Sequence, residues 1–127
     1  MKLRILQVDD DPHVLEISRI ALQDIGGNEV FQFSNGREAI DNAAALSPDV
    51  ILLDLMMPQF GGRDVLQGLR EIESCSDTPV LFLTGRTDSA STSIGSEPGV
   101  IGFLRKPFDA MTLSQSILDA MGLGKAS

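Results

Sequence analysis

Val50-Ile51-Leu52-Leu53-Asp54-Leu55-Met56-Met57-Pro58 is the stretch that decides the fold. Val50 to Leu53 is a short, continuous apolar run led by two β-branched residues, and it stops at a carboxylate. Such a run is too short for a helix and does not alternate, so it reads as a strand covered on both faces, as strands of parallel sheets are. Four more segments share that character: Leu3 to Val8, Glu29 to Phe33, Val80 to Leu83 and Val100 to Leu104. Between and after these five expected strands lie helical segments near Pro12 to Ile25, Gly36 to Leu46, Gly62 to Cys75, Asp88 to Glu97 and Asp109 to Met121. Asp11 ahead of Pro12, Asn35 three residues before Glu38, and Asp109 supply the helix-start signals. Strand and helix in strict alternation imply right-handed crossovers and a doubly wound α/β fold with a parallel sheet.

One helical segment stands apart. Asp88 to Pro98 reads DSASTSIGSEP, rich in serine, with Gly95 costing about 1 kcal/mol relative to alanine in a helix interior. A weak helix is expected there, ended by Pro98.

A chain of 127 residues has room for one domain with one core, expected over residues 1–127 with a short tail from about Gly122. Eighteen acidic against ten basic residues leave a net charge of −8, which argues against direct binding of nucleic acid. A lone Cys75 rules out an intrachain disulfide and fits a reducing, cytoplasmic setting. The apolar run after Lys2 and Arg4 is broken by Gln7 and ends in an acidic triplet, so it reads neither as a signal peptide nor as a membrane span.

Doubly wound sheets bind ligands beyond the carboxyl ends of their strands. There the first strand runs into Asp9-Asp10-Asp11, the third into Asp54, the fourth into Thr84 and the fifth into Arg105-Lys106-Pro107. With the first and third strands adjacent, at least three carboxylates converge. Each pair near 4 Å repels by roughly 4 kcal/mol at an effective dielectric of about 20, so the cluster calls for a cation. Mg²⁺ suits an all-oxygen ligand set, whereas the chain's lone His13 and lone Cys75 are too few soft ligands for zinc. An aspartate beside a metal with a lysine opposite is also what a carboxylate nucleophile for phosphoryl transfer needs. Asp54 is the expected nucleophile, with Lys106 and the Thr84 hydroxyl facing the transferred oxygens.

ILQVDDDP at Ile5 to Pro12, VILLDLMMP at Val50 to Pro58, LFLTG at Leu81 to Gly85 and FLRKPF at Phe103 to Phe108 occur in that order. With these motifs the chain resembles the receiver domains of two-component response regulators, the single-domain chemotaxis receiver being the simplest relative. The resemblance covers nearly the whole chain and implies a flavodoxin-like five-stranded sheet in the order 2-1-3-4-5. It implies that Asp9 and Asp10 are the acidic metal-binding pair, Asp54 the phosphoacceptor, and Met56 the donor of a backbone carbonyl to Mg²⁺. Thr84 resembles the switch hydroxyl, Phe103 the switch aromatic and Lys106 the lysine that contacts the phosphoryl group, followed by a cis bond to Pro107. The implied donor is a sensor histidine kinase or a histidine phosphotransfer protein. The implied output is a protein target met through the surface of the fourth helix, fifth strand and fifth helix, with a phosphorylation-linked dimer left open. Enzyme-like activity would be limited to slow self-dephosphorylation.

Three positions depart from the family pattern. Phe103 stands where tyrosine is frequent and lacks the phenolic hydroxyl; Gly61-Gly62 lacks an acidic residue common before the glycine. Met56, with Arg86, occupies a position that in relatives sets hydrolysis, and a bulky apolar side chain there implies a longer-lived phosphoryl group.

Several residues keep plainer readings. Asp11 is a helix cap, His13 a solvent-facing first-turn residue, Met57 a packing residue, Cys75 inert, and Arg63, Arg70 and Glu71 a solvated helix face. An aspartyl-phosphate phosphatase of the haloacid dehalogenase class is opposed by Met56, where that class has a second acid. A flavodoxin-like cofactor carrier is opposed by three carboxylates where its first loop offers hydroxyls and amides. A receiver-like scaffold that is never phosphorylated is opposed by the complete residue set.

Overall fold

The computed structural model describes residues 2–55, 57, 60–85 and 97–123. Its strands are β1 (Arg4–Val8), β2 (Glu29–Phe33), β3 (Val50–Asp54), β4 (Val80–Thr84) and β5 (Val100–Arg105). Its α-helices are α1 (Pro12–Arg19), α2 (Gly36–Leu46), α3 (Gly62–Arg70) and α4 (Leu113–Ala120). The strands are all parallel, in the order β2-β1-β3-β4-β5, which is the expected topology. The helical segment expected over Asp88–Glu97 lies outside the described residues except for Glu97, as do Met56, Arg86 and residues 124–127.

Burial explains why the central strands carry no alternation. Every residue of β3 and β4 is buried, because each strand has apolar layers on both faces. On one side Leu6, Val8, Ile51, Leu53 and Phe82 pack against Ala39 and Ala43 of α2 and Val65 and Leu69 of α3. On the other, Ile5, Leu52, Leu81 and Leu83 pack against Leu22 and against Leu113 and Ile117 of α4. Among the described residues no helix is long and apolar enough to cross a membrane.

Three helix boundaries differ from expectation, each through a polar contact that hydropathy does not report. The segment expected as one helix over Pro12–Ile25 is α-helical to Arg19 and then winds as a π-helix over Ile20–Ile25. Its last turns are held by the Gly26 N–H bonding the Ala21 carbonyl at 3.1 Å and by the Asn28 amide bonding the Leu22 carbonyl at 3.0 Å. The segment expected to reach Cys75 ends at Arg70 and resumes as a 3₁₀ turn over Glu73–Cys75, whose end is held by the Arg70 guanidinium on the Cys75 carbonyl at 2.7 Å. Asp109 is not the cap of the last helix. Its carboxylate accepts the Met111 N–H at 2.8 Å, closing a local turn as aspartate side chains do, and α4 begins at Leu113 after Thr112. The other two caps are as read: Asp11 accepts from the His13 N–H and Asn35 from the Glu38 N–H.

β1 also holds a polar core residue. Gln7, fully buried, donates to the Ser18 hydroxyl of α1 at 2.9 Å and accepts from Gln32 of β2 at 2.8 Å. Satisfied inside the core, this network pins α1 to two strands and leaves the following residues, Asp9 to Asp11, at a fixed sheet edge.

Candidate phosphoacceptor and metal site

Asp9 follows the last residue of β1 and keeps one more rung, its N–H bonding the Phe33 carbonyl at 3.1 Å, so its side chain is carried in fully buried. Oδ1 accepts the Asp11 N–H at 2.9 Å; Oδ2 lies 2.8 Å from the Lys106 ammonium. Asp54 ends β3 in register with Leu83 and is 5% exposed, with Oδ1 3.4 Å from the same ammonium. Asp10, exposed, completes the group: one carboxylate oxygen from each of Asp9, Asp10 and Asp54 lies within 4.8 Å of the others.

Lys106 reaches this cluster because β5 pairs Arg105 with Thr84 and the next N–H, that of Lys106, bonds the Thr84 carbonyl at 2.9 Å. The Lys106–Pro107 bond is cis. Burial alone pulls the Lys106 ammonium toward deprotonation, but the hydrogen bond and charge of Asp9, and then Asp54, outweigh it and hold its pKa above the ordinary value. One ammonium against three carboxylates leaves two negative charges for a further cation to balance. Hard oxygen donors and a twofold charge deficit fit a divalent ion such as Mg²⁺.

Structure and sequence can be matched residue by residue. Asp9, Asp10, Asp54 and Lys106 meet directly, and Thr84, 1% exposed, joins them through its backbone. Phe103 sits apart, half-buried on the α2–α3 side and stacked on Phe82 with ring centroids 5.8 Å apart. Met56, expected to give a carbonyl, lies outside the described residues, while Met57 is a core residue. His13 is exposed and Cys75 buried, as read.

Two contributors were missed by sequence reasoning. The Asp11 backbone orients Asp9 as well as opening α1; an acidic residue two positions before the cap of a Pro-led helix is the signal for that turn. Arg70, read as part of a solvated face, is instead half-buried across two backbone carbonyls, those of Cys75 and Pro98. The Pro98-Gly99 pair, a turn signature, was the available hint.

With the geometry established, three kinds of similarity bear on it. A family model for the response regulator receiver domain matches residues 5–118. The chain is 38% identical over 108 residues to the DNA-binding response regulator MtrA of Mycolicibacterium smegmatis, covering 85% of this chain and 46% of that protein. It is 35% identical over 125 residues to the response regulator Rre1 of Synechocystis, covering 98% of this chain and 54% of that protein. The chain thus spans about half the length of these curated relatives. Among solved structures, the chemotaxis protein CheY4 of Vibrio cholerae matches with a TM-score of 0.86 at 32% identity, over 94% of this chain and 99% of that one.

Proposed function

This chain belongs to the receiver domain family of two-component response regulators, and on that premise we propose that it accepts a phosphoryl group on Asp54 from a phosphohistidine donor. The single observation that carries the reading is the Asp54 carboxylate at a buried strand end, 3.4 Å from Lys106 and grouped with Asp9 and Asp10. The reading makes Asp9, Asp10 and Asp54 the holders of Mg²⁺, with the Met56 carbonyl added by family resemblance. The ion supplies positive charge to the phosphoryl oxygens.

A carboxylate oxygen of Asp54 attacks phosphorus while the P–N bond to the donor imidazole breaks, and the imidazole leaves with the bonding pair. Lys106 and the Thr84 hydroxyl face the oxygens of the group as it arrives, so this chain contributes positioning and charge more than covalent chemistry. Water later cleaves the acyl phosphate at phosphorus, which returns the carboxylate and releases phosphate. That slow reversal is the extent of the enzyme-like activity.

Phosphorylation of Asp54 then draws Thr84 toward the added charge and shifts Phe103, remodelling the exposed surface around β5. The donor is a histidine kinase or histidine phosphotransfer protein, and the output is a protein target in the cytoplasm. The acidic balance of the chain supports contact with protein over direct contact with nucleic acid.

Intact mass after incubation with acetyl phosphate tests the reading. A single phosphoryl adduct that requires Mg²⁺ and disappears in Asp54→Asn is expected. A folded, Mg²⁺-binding protein that forms no adduct with acetyl phosphate or with a panel of phosphorylated histidine kinases would overturn it in favour of a receiver-like scaffold.

A further inference from the structure

β5 breaks the two-residue side-chain period, and the break decides where Phe103 and Lys106 go. Val80 pairs with Val100, but Leu81 pairs with Gly102, so Ile101 is an extra residue opposite no partner of its own. Two residues facing one is a β-bulge. Its effect shows in the packing: Val100 faces the α2–α3 side, Ile101 the α1–α4 side, and Phe103 the α2–α3 side again. In an unbulged strand Phe103 would pair with Leu83 and face the opposite layer, because a one-residue slip flips every side chain. Lys106 would also lie one residue farther beyond Thr84. A strand advances about 3.3 Å per residue, which is more than the 2.8 Å contact with Asp9 can absorb without rebuilding the side chain.

The start of this strand is held in place from outside. Glu97-Pro98-Gly99-Val100 forms a turn, with the Val100 N–H bonding the Glu97 carbonyl at 3.2 Å and Gly99 at φ +83°. Proline second and a positive-φ glycine third is the type II pattern. The Gly99 carbonyl accepts the Val80 N–H at 2.8 Å, which sets the first rung of β4–β5 pairing. The Arg70 guanidinium spans the turn's Pro98 carbonyl at 3.2 Å and the Cys75 carbonyl at 2.7 Å. It lies so close over Gly99 that a Cβ there would collide with Nη2. Turn, α3 and the approach to β4 are therefore clamped by one side chain.

We infer that Arg70 is a positioning residue for the acceptor site: by clamping the 97–100 turn it fixes the bulged register of β5, which faces Phe103 toward Phe82 and brings Lys106 to Asp9 and Asp54. The register is a property of the fold; its effect on phosphoryl transfer rests on the function proposed above. Arg70 touches none of the reacting groups and acts through the strand.

The test compares the parent with Arg70→Met, which keeps an apolar stem and removes both carbonyl contacts, and with a variant lacking Ile101. Amide exchange by NMR reads the register without any phosphoryl chemistry. In Arg70→Met the Leu104 and Lys106 amides should exchange at least about tenfold faster, while amides of β1 and β3 change by less than about twofold. The rate of adduct formation with acetyl phosphate should fall by about five- to tenfold, with Mg²⁺ affinity kept within about twofold, since Asp9, Asp10 and Asp54 lie on other elements. The variant lacking Ile101 loses the extra residue while Gly102 still meets Leu81 and Phe103 still meets Phe82, so it should keep the Phe82–Phe103 ring contact in nuclear Overhauser spectra, and adding Arg70→Met to it should no longer loosen Leu104 and Lys106 selectively. Exchange that is unchanged in β5, or faster to the same degree in every strand, would overturn the inference whether or not the chain is phosphorylated. An unphosphorylatable parent with selectively loosened β5 would sink the function reading while leaving the register device standing.

Discussion

β3 ends in a residue of the candidate site and β5 runs directly into one, yet they are built differently. Every residue of β3 is buried and the strand lies between two hydrogen-bonded neighbours, whereas β5 is an edge strand and no residue of it is fully buried. Asp54 therefore sits where the backbone cannot move without opening two apolar layers. Phe103 sits on, and Lys106 directly after, a strand paired along one edge alone, which local opening reaches at lower free energy. The division teaches where a switch can reside: the proposed acceptor is fixed, and the cation and aromatic proposed to answer it are adjustable.

Lys106→Met attacks that division most strongly. Removing the ammonium strands the fully buried Asp9 carboxylate, and in metal-free buffer the loss should be about 2–3 kcal/mol in urea unfolding. Its pH dependence has a definite sign. The folded-state pKa of Lys106 is raised above the ordinary 10.5, so its stabilisation is fully present below that value and is lost as pH rises through the higher folded pKa. The gap in stability between parent and Lys106→Met should stay flat from neutral pH to about 10 and narrow above it. A gap that stays unchanged as pH rises well above 10.5 would show that the Lys106 charge does not supply this stabilisation.

Metal removal comes next. Saturating Mg²⁺ should stabilise the parent by about 2.7 kcal/mol at a hundredfold excess over its Kd, seen as a rise in Tm. Asp10→Asn should lose most of that rise, and, because it removes one charge from a mutually repelling group, it should be no less stable than the parent without metal. Equal metal stabilisation of parent and variant would exclude Asp10 from the ligand set.

Gly62→Ala probes the fixed half by packing alone. A Cβ there would stand 2.8 Å from the Asp54 carbonyl oxygen and 3.0 Å from Phe82, and the backbone has no room to yield, so a cost of about 2 kcal/mol is expected in thermal unfolding. At the other extreme, Glu97→Gln breaks an exposed 3.7 Å pair with Arg63 and should change stability by no more than about 0.5 kcal/mol, since both groups are well solvated. A large effect from that pair would mean that the 97–100 turn is held by Glu97 and not by Arg70.

The sequence made the fixed half legible and much of the adjustable half illegible, for a physical reason. β2 and α2 have the bounds read from the sequence, and β3 and β4 differ from theirs by one residue, because continuous apolar runs and an Asn35 cap report burial and helix start directly. The strand-end carboxylates were readable because topology alone brings the ends of β1 and β3 together. The bulge was not readable: VIGFL is apolar at nearly every position, so its hydropathy is the same in either register. Arg70 was misjudged because its guanidinium is half-buried through bonds to backbone carbonyls, which no residue pattern announces. The same holds for Asp109, whose carboxylate serves a turn one step ahead of the helix it seemed to cap.

Amide exchange along the chain, with Mg²⁺ and excess acetyl phosphate against Mg²⁺ alone, tests the contrast between the two strands most directly. Once the Asp54-dependent adduct has formed, Phe103 to Lys106 should shift in protection by about tenfold or more, while Val50 to Leu53 stay within about twofold. An adduct that leaves β5 untouched, or that alters β3 and β5 equally, would contradict the division into a fixed acceptor and an adjustable edge.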